Sequence, residues 1–289
     1  MTAAQPSLVP SVSTGCYSLE ITTAGAKKLS AISGLLPSQT SVSITSLDGE
    51  TDQQRLGAAQ AIREAGFVPV PHLAARRFDS ARSMENLLSK MRKQAQVDHV
   101  LVLAGDTAKP RGPYDDGLAL IGTQLLAKYG VSRISIPGYP TGHPKIEDSI
   151  LWTVLQEKVR LLRQASHTVE IMTQFSFDPI AVLRWIARVR AAGISETVRV
   201  GIPGPATAKS LLRFASICGV SNSARMVAKY GISLGNLLRT NGPERFIGDF
   251  VNAFDTTRHG DVRFHLFTFG GLEKTANWAR GSEPSLCLE

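Results

Sequence analysis

Eight short apolar runs, each followed by a stretch with helical periodicity, constrain this chain more than any other feature. They lie at 17–21 (YSLEI), 41–45 (SVSIT), 69–74 (PVPHLA), 99–105 (HVLVLAG), 133–139 (RISIPGY), 169–175 (VEIMTQF), 198–204 (VRVGIPG) and 263–269 (RFHLFTF). Several are almost continuously apolar, as strands buried on both faces must be. Pro69 and Pro71 weaken the third, because proline cannot donate to a ladder. Between the runs, Leu118, Ile121 and Leu125 mark one face of a helix over 115–129. Ile150, Leu151, Val154, Leu155 and Leu162 do the same over 147–166. Over 178–192, Asp178 can N-cap, Pro179 suits the first turn, and Arg184 and Arg188 share a polar face. The interval 205–262 holds more than one helix, with Gly242-Pro243 restarting the last.

Eight strands with helical crossovers predict an α/β fold, a single-domain (β/α)8 TIM barrel. A doubly wound sheet is the competitor, but no strand leads into a G-x-G-x-x-G turn. Gly201 and Gly204 give only G-x-x-G. The expected organisation is an N-terminal segment 1–16, a catalytic barrel 17–280 and a tail 281–289 without periodicity, read as loose.

Composition narrows the classes. Hydrophobic residues make up 43% and charged residues 19%, and mean hydropathy is −0.01, which excludes a disordered chain. No run of about 18 apolar residues occurs, so no membrane span is expected. The first 15 residues lack the basic and apolar regions of a secretory signal. Cys16, Cys218 and Cys287 are odd in number and far apart, which gives neither a disulfide framework nor a zinc pattern. A reducing cytoplasm is the simplest reading. Net charge is +8. The basic residues are dispersed and aromatics are only 7%, which favours small anionic ligands over nucleic acid.

In a (β/α)8 barrel the active site forms at the C-terminal ends of the strands. Here those ends carry Glu20, Thr45, His72, Asp106, Tyr139 and Gln174 in turn. Glu20 reads either as a carboxylate paired with an arginine inside the barrel or as a general acid whose pKa is raised by burial. His72 has no second ligand at metal spacing, so no metal is expected. His143 lies in a proline-bounded loop, as a rigidifying residue or a cofactor contact. Asp106 suits a turn cap or a charge that tunes a cofactor. Gln174 can donate and accept at once, which suits a core amide or the edge of a heterocycle. No P-loop, H-E-x-x-H or Ser-His-Asp motif is present.

The ordered strand ends resemble the methylenetetrahydrofolate reductase family. Ser18-Leu19-Glu20 resembles its S-F-E, Ser43-Ile44-Thr45 its S-V-T, and Pro71-His72-Leu73 its P-H-L. Leu103 to Asp106 resembles L-R-G-D, Tyr139 to Pro144 matches Y-P-x-x-H-P, and Thr173 to Asp178 matches T-Q-F-x-F-D. Gly201-Ile202, with the prolines at 203 and 205, resembles G-I-x-P, and the likeness runs from about 17 to 279. It implies a barrel holding non-covalent FAD, reduced by NADH or NADPH. Methylenetetrahydrofolate then takes the hydride in a ping-pong cycle and leaves as 5-methyltetrahydrofolate. By that analogy Glu20 is the general acid, Asp106 lies near flavin and pterin, and Gln174 contacts both substrates. Thr45, His72, Tyr139 and His143 would bind FAD, with Arg163 near its phosphates. The departures are Ile21-Thr22-Thr23-Ala24 where the family has an aromatic-proline run, Ala104 for an arginine, Phe267 for a tyrosine and Gly271 for an arginine. The resemblance also implies a cytoplasmic oxidoreductase of one-carbon metabolism, compatible with a homo-oligomer. A flavin-free barrel lyase or aldolase and a non-catalytic flavin- or folate-binding paralogue are the other classes.

Overall fold

The structure, a computed structural model, describes residues 15–220 and 240–288. Eight parallel strands close into a barrel: β1 (Tyr17–Ile21), β2 (Ser41–Ile44), β3 (Val68–Ala74), β4 (His99–Leu103), β5 (Arg133–Gly138), β6 (Thr168–Thr173), β7 (Thr197–Pro203) and β10 (Val262–Phe267). Neighbours run in the order β1-β10-β7-β6-β5-β4-β3-β2. Two further short strands, β8 (Ala206–Thr207) and β9 (Thr240–Asn241), pair antiparallel above the barrel wall. The TIM-barrel expectation is met, and the strand bounds follow the apolar runs closely.

β3 keeps both of its prolines for a geometric reason. The Val68 N–H donates to the Thr40 carbonyl on the β2 side. Backbone directions alternate along a strand, so Pro69 and Pro71 both turn their missing donors toward β4. The β3–β4 register begins only at His72, opposite Leu101. The two prolines therefore cost no bond to β2.

Helices α1 (Asp52–Glu64), α2 (Ala81–Ala95), α5 (Asp148–Gln164), α6 (Pro179–Ala191) and α7 (Ala208–Ile217) cover the barrel with shorter pieces between them. Asp178 caps α6 by accepting from the Ala181 N–H at 2.9 Å, with Pro179 in the first turn. The single helix expected over 115–129 is two, α3 (Gly117–Ile121) and α4 (Leu125–Lys128). Gln124 turns left-handed at φ 60°, and Thr123 takes up the loose ends by donating to the Leu120 carbonyl and accepting from the Leu125 N–H. After Pro243 comes α8 (Glu244–Ala253), then a short helical turn at Thr256–His259.

Strand alternation separates two interiors. Leu19, Val42, Ile44, Val100, Ile134, Ile171, Val200 and Leu266 face outward into one large core shared with the helices. The inward face is polar. Ser18, Ser43, His72, His99, Ser135, Glu170, Arg199 and His265 are all buried. A smaller apolar cluster of Phe175, Phe177, Ala206, Leu211 and Phe267 roofs the C-terminal mouth.

Two expectations are corrected at the other end. The stretch after 280 is docked: a helical turn at Glu283–Leu286 buries Leu286 completely. The cysteines are not all free either, because Cys16 and Cys287 form a disulfide, with their Cα atoms 4.8 Å apart. The last barrel helix, α9 (Leu272–Gly281), descends to the face where β1 starts, so 271 residues of sequence separation vanish in space. Cys218 alone is a free thiol. Among the described residues no helix is long and apolar enough to cross a membrane.

Candidate active site

The mouth of the barrel gathers most of the residues expected there. β1 delivers Glu20 inward, between histidines from the neighbouring strand β10 and from β3. Its Oε2 lies 3.4 Å from Nε2 of His72 and 3.9 Å from Nε2 of His265. The Thr268 hydroxyl donates to the Glu20 carbonyl at 2.8 Å and fixes the strand end. Burial alone would push the Glu20 carboxyl up. The polar pull of His265 and the charges of His72 and His265 outweigh it and hold the carboxyl below its ordinary value. The expectation of a burial-raised acid is thereby corrected. The imidazole of His72 is also held down, chiefly by burial.

Sequence reasoning missed His265. It sits with Arg263 and Phe267 on the inward parity of β10, a polar residue in an apolar run, and that interruption was its signal. Its ring is fully buried. Nδ1 lies 2.8 Å from the Ser18 hydroxyl, and Nε2 has no hydrogen-bond partner. Cys218, at the end of α7, is close enough to feel the Glu20 charge. Burial first, then that charge, push its thiol up to about 11.

Next to this cluster, the Thr45 backbone N–H donates to the Ile21 carbonyl at 2.9 Å. Its hydroxyl, the Ser43 hydroxyl and Nε2 of His72 are buried without a hydrogen bond, the last facing only Glu20 at 3.4 Å. Buried polar atoms normally have partners. This unpartnered set fits the polar edge of a heterocycle seated across the ends of β1 to β3, and so fits a flavin.

Asp106 follows β4 and is mostly solvent-facing, its side chain 80% exposed. Nη2 of Arg77 holds it at 2.5 Å, and that bond keeps the carboxyl below its ordinary value. The Arg77 side chain, from the end of β3, is itself buried and also faces Asp48 at 3.9 Å. Gln174, just past the end of β6, accepts from the Phe175 N–H at 3.0 Å through its amide oxygen. Tyr139 meets His143 edge-on at 5.3 Å. Tyr139 also lines a small cleft with Trp152 and Trp185. The His143 ring accepts from the Lys145 N–H at 3.2 Å.

Arg163 does not join this group. It occupies the last turn of α5, at the N-terminal end of the barrel, where it pairs with Glu196 at 2.5 Å and donates to the Gly193 carbonyl. A helix that starts at the barrel mouth has reached the opposite face after about 16 residues, which is why the expected position fails. The cation that α5 does bury is Lys158, which stands on the apolar stripe of Leu155, Val159 and Leu162. A charged residue on that stripe was a signal available in the sequence. Burial brings the Lys158 ammonium down to about 8, against the pull of Asp116. Gly117 leaves room for it: a Cβ there would stand 3.2 Å from Nζ.

Comparison with known proteins bears on this geometry. A family model described as methylenetetrahydrofolate reductase matches residues 22–270. The 5,10-methylenetetrahydrofolate reductase of Pectobacterium carotovorum subsp. carotovorum is 27% identical over 249 residues, covering 84% of this chain and 78% of that protein. The Salmonella typhimurium protein of the same name is also 27% identical, over 84% of this chain and 79% of its own length. Among solved structures, the dihydropteroate synthase of Thermus thermophilus is similar with a TM-score of 0.50 and 13% identity, covering 94% of each chain. That likeness speaks to the barrel fold alone.

Proposed function

Because this chain belongs to the methylenetetrahydrofolate reductase family, we propose that it reduces 5,10-methylenetetrahydrofolate to 5-methyltetrahydrofolate with electrons from NADH or NADPH and with FAD as its bound cofactor. The observation that carries this reading is a mostly buried carboxylate, Glu20, set between two imidazoles at the barrel mouth. When bound, FAD supplies the two-electron relay that lets nicotinamide and folate use one site in turn.

The chain's own residues have separate tasks. Thr45 and His72 offer unpartnered polar atoms for the cofactor's heterocycle, and Tyr139 and His143 flank it from β5. Lys158 replaces Arg163 as the cation for its diphosphate. Asp106, kept ionised by Arg77, sets the charge beside the pterin. Gln174 presents an amide that can donate to one substrate and accept from the other. The roof of Phe175, Phe177 and Phe267 excludes water from the reacting centre. Opening the five-membered ring of the folate needs a proton on N10, which turns the methylene into a cationic hydride acceptor. In this reading Glu20 carries that proton to N10.

Two measurements test the reading separately. Incubation with FAD, gel filtration, and a visible spectrum with mass spectrometry of the released cofactor should show retained flavin. A protein that neither retains nor titrates flavin refutes the cofactor assignment. Turnover of methylenetetrahydrofolate with NADH or NADPH tests the reaction, and its absence in folded, flavin-loaded protein refutes that. A flavin-free lyase or a binding paralogue would fail one measurement or the other.

A further inference from the structure

β1 ends one residue after Glu20, and the chain then runs Ile21-Thr22-Thr23-Ala24, with no proline to fix φ at the exit. A reacting group misplaced by about 1 Å can cost 10²-fold in rate, so the exit needs another means of being held. Thr268 grips the Glu20 carbonyl from the β10 side, and the Thr45 N–H grips the Ile21 carbonyl from the β2 side. Beyond them the Thr22 hydroxyl accepts from the Gly25 N–H at 3.2 Å and starts a short helical stretch, Thr23–Ile32.

The remaining hold comes from the loop between β2 and α1. Leu47-Asp48-Gly49-Glu50 is a turn closed by the Glu50 N–H, which donates to the Leu47 carbonyl at 3.4 Å. Gly49 supplies a φ of 78° at its third position, where a positive φ favours glycine. The turn folds the Glu50 side chain back over the loop. Its Oε2 accepts from the Leu47 N–H at 2.8 Å, and its Oε1 accepts from the Thr23 hydroxyl at 2.6 Å. A hydroxyl bonded to a carboxylate at that length is roughly twice as strong as a neutral pair. The next residue, Thr51, is the N-cap of α1 and forms a capping box with Gln54, so Glu50 stands on the fixed start of a helix. One half-buried carboxylate therefore ties the loop that leaves Glu20 to the loop that leaves Thr45. Its charge is also felt at His72.

Resting on the reductase reading, we propose that Glu50 is a positioning residue for the folate step: with Thr23 it clasps the exit of β1 to the β2–α1 loop and so keeps Glu20 aimed at N10. It acts through Glu20. Reduction of the flavin by nicotinamide needs no proton on N10, so the clasp serves one half-reaction and not the other.

The test compares wild type with Thr23→Val, Thr23→Ser, Glu50→Gln and the double variant Thr23→Val/Glu50→Gln. Valine keeps the shape of Thr23 and removes the donor, whereas serine keeps the donor. Glutamine keeps the shape of Glu50 but leaves one acceptor oxygen for two donors. In stopped flow on folded, flavin-loaded protein, the folate half-reaction should slow roughly 10- to 10²-fold in Thr23→Val and in Glu50→Gln. The nicotinamide half-reaction should keep its wild-type rate, and Thr23→Ser should restore the folate step. Because the two residues act as one unit, the double variant should be no slower than Glu50→Gln. Hydrogen exchange over residues 17–24 of the whole protein gives a readout without turnover: it should quicken in Thr23→Val and Glu50→Gln and stay at the wild-type rate in Thr23→Ser. If Glu50→Gln does not fold, the two Thr23 variants decide. A wild-type folate rate in folded Thr23→Val overturns the proposal. Equal slowing of both half-reactions also does so, as does a serine variant as slow as the valine one. If folded wild type reduces no methylenetetrahydrofolate, the reductase reading fails by itself, and exchange unchanged by Thr23→Val then overturns the clasp separately.

Discussion

Replacing Arg199 by methionine should invert the sign of the protein's acid response. Arg199 and Glu170 form a buried pair inside the barrel, Nε to Oε2 at 2.8 Å and Nη2 to Oε1 at 3.3 Å. His99 closes the group, with Nε2 3.7 Å from the same carboxylate and 2.8 Å from the Ser135 hydroxyl. Burial raises the Glu170 carboxyl, but Arg199 and His99 bring it from 4.5 down to about 2. A carboxylate with a depressed folded pKa stabilises above its unfolded value, and that stability is lost as pH falls through the window from 4.5 to about 2. At 1.36 kcal/mol per pKa unit the window holds about 3 kcal/mol. Arg199→Met leaves the carboxylate buried without its cation, a change that costs about 3–5 kcal/mol. Burial then dominates, and the carboxyl titrates above its unfolded value. Stability should now fall as pH rises through that range, because the unfolded chain releases its proton first. Urea unfolding of both proteins at about pH 5 and about pH 7 would show the inversion. The variant should melt roughly 6–20 °C below wild type at neutral pH, and Arg199→Met/Glu170→Leu should recover much of the loss. A variant that loses under about 1 kcal/mol, or keeps the wild-type slope with pH, would refute the reasoning.

Other outcomes follow from the same geometry. Cys287→Ser should lower stability by an amount bounded at roughly 6 kcal/mol by chain entropy; reductant should lower the wild-type Tm and leave the variant unmoved. Lys158→Met should weaken FAD binding at least about tenfold, or about 1.4 kcal/mol, in a fluorescence titration, whereas Arg163→Met should leave it unchanged; equal affinities would remove Lys158 from the phosphate site. Glu20→Gln should slow the folate half-reaction by roughly 10²–10⁴-fold in stopped flow while the nicotinamide half-reaction survives; a wild-type folate rate would remove Glu20 as the proton donor.

Strands and site differ in how far the sequence discloses them. An apolar run between turn residues is local information, so β4 and β6 could be read directly, and the polar residue ending each run was a fair guide to the mouth. Charge state is not local. Burial of Glu20 can be inferred from YSLEI, but the two imidazoles that overturn its effect arrive from β3 and β10 and become neighbours only when the barrel closes. Arg163 failed for a related reason: matching a lysine along a sequence ignores how far down a helix axis the match falls. The β8–β9 pairing is too short to leave a pattern. The Cys16–Cys287 bridge depends on where the last helix ends relative to the first strand, which no spacing rule encodes.

That bridge also decides how the molecule bears load. Residues 16 to 287 form a covalent ring, and a pull applied to the chain beyond Cys287 runs through the sulfurs to Cys16 and out again. The barrel hangs in parallel with that short path and carries almost no tension. A threading protease or unfoldase that grips either flank would therefore stall on a loop it must admit as two strands at once. Cleaving the sulfur–sulfur bond would move the whole force onto the β1–β10 seam, where the ring of strands was closed.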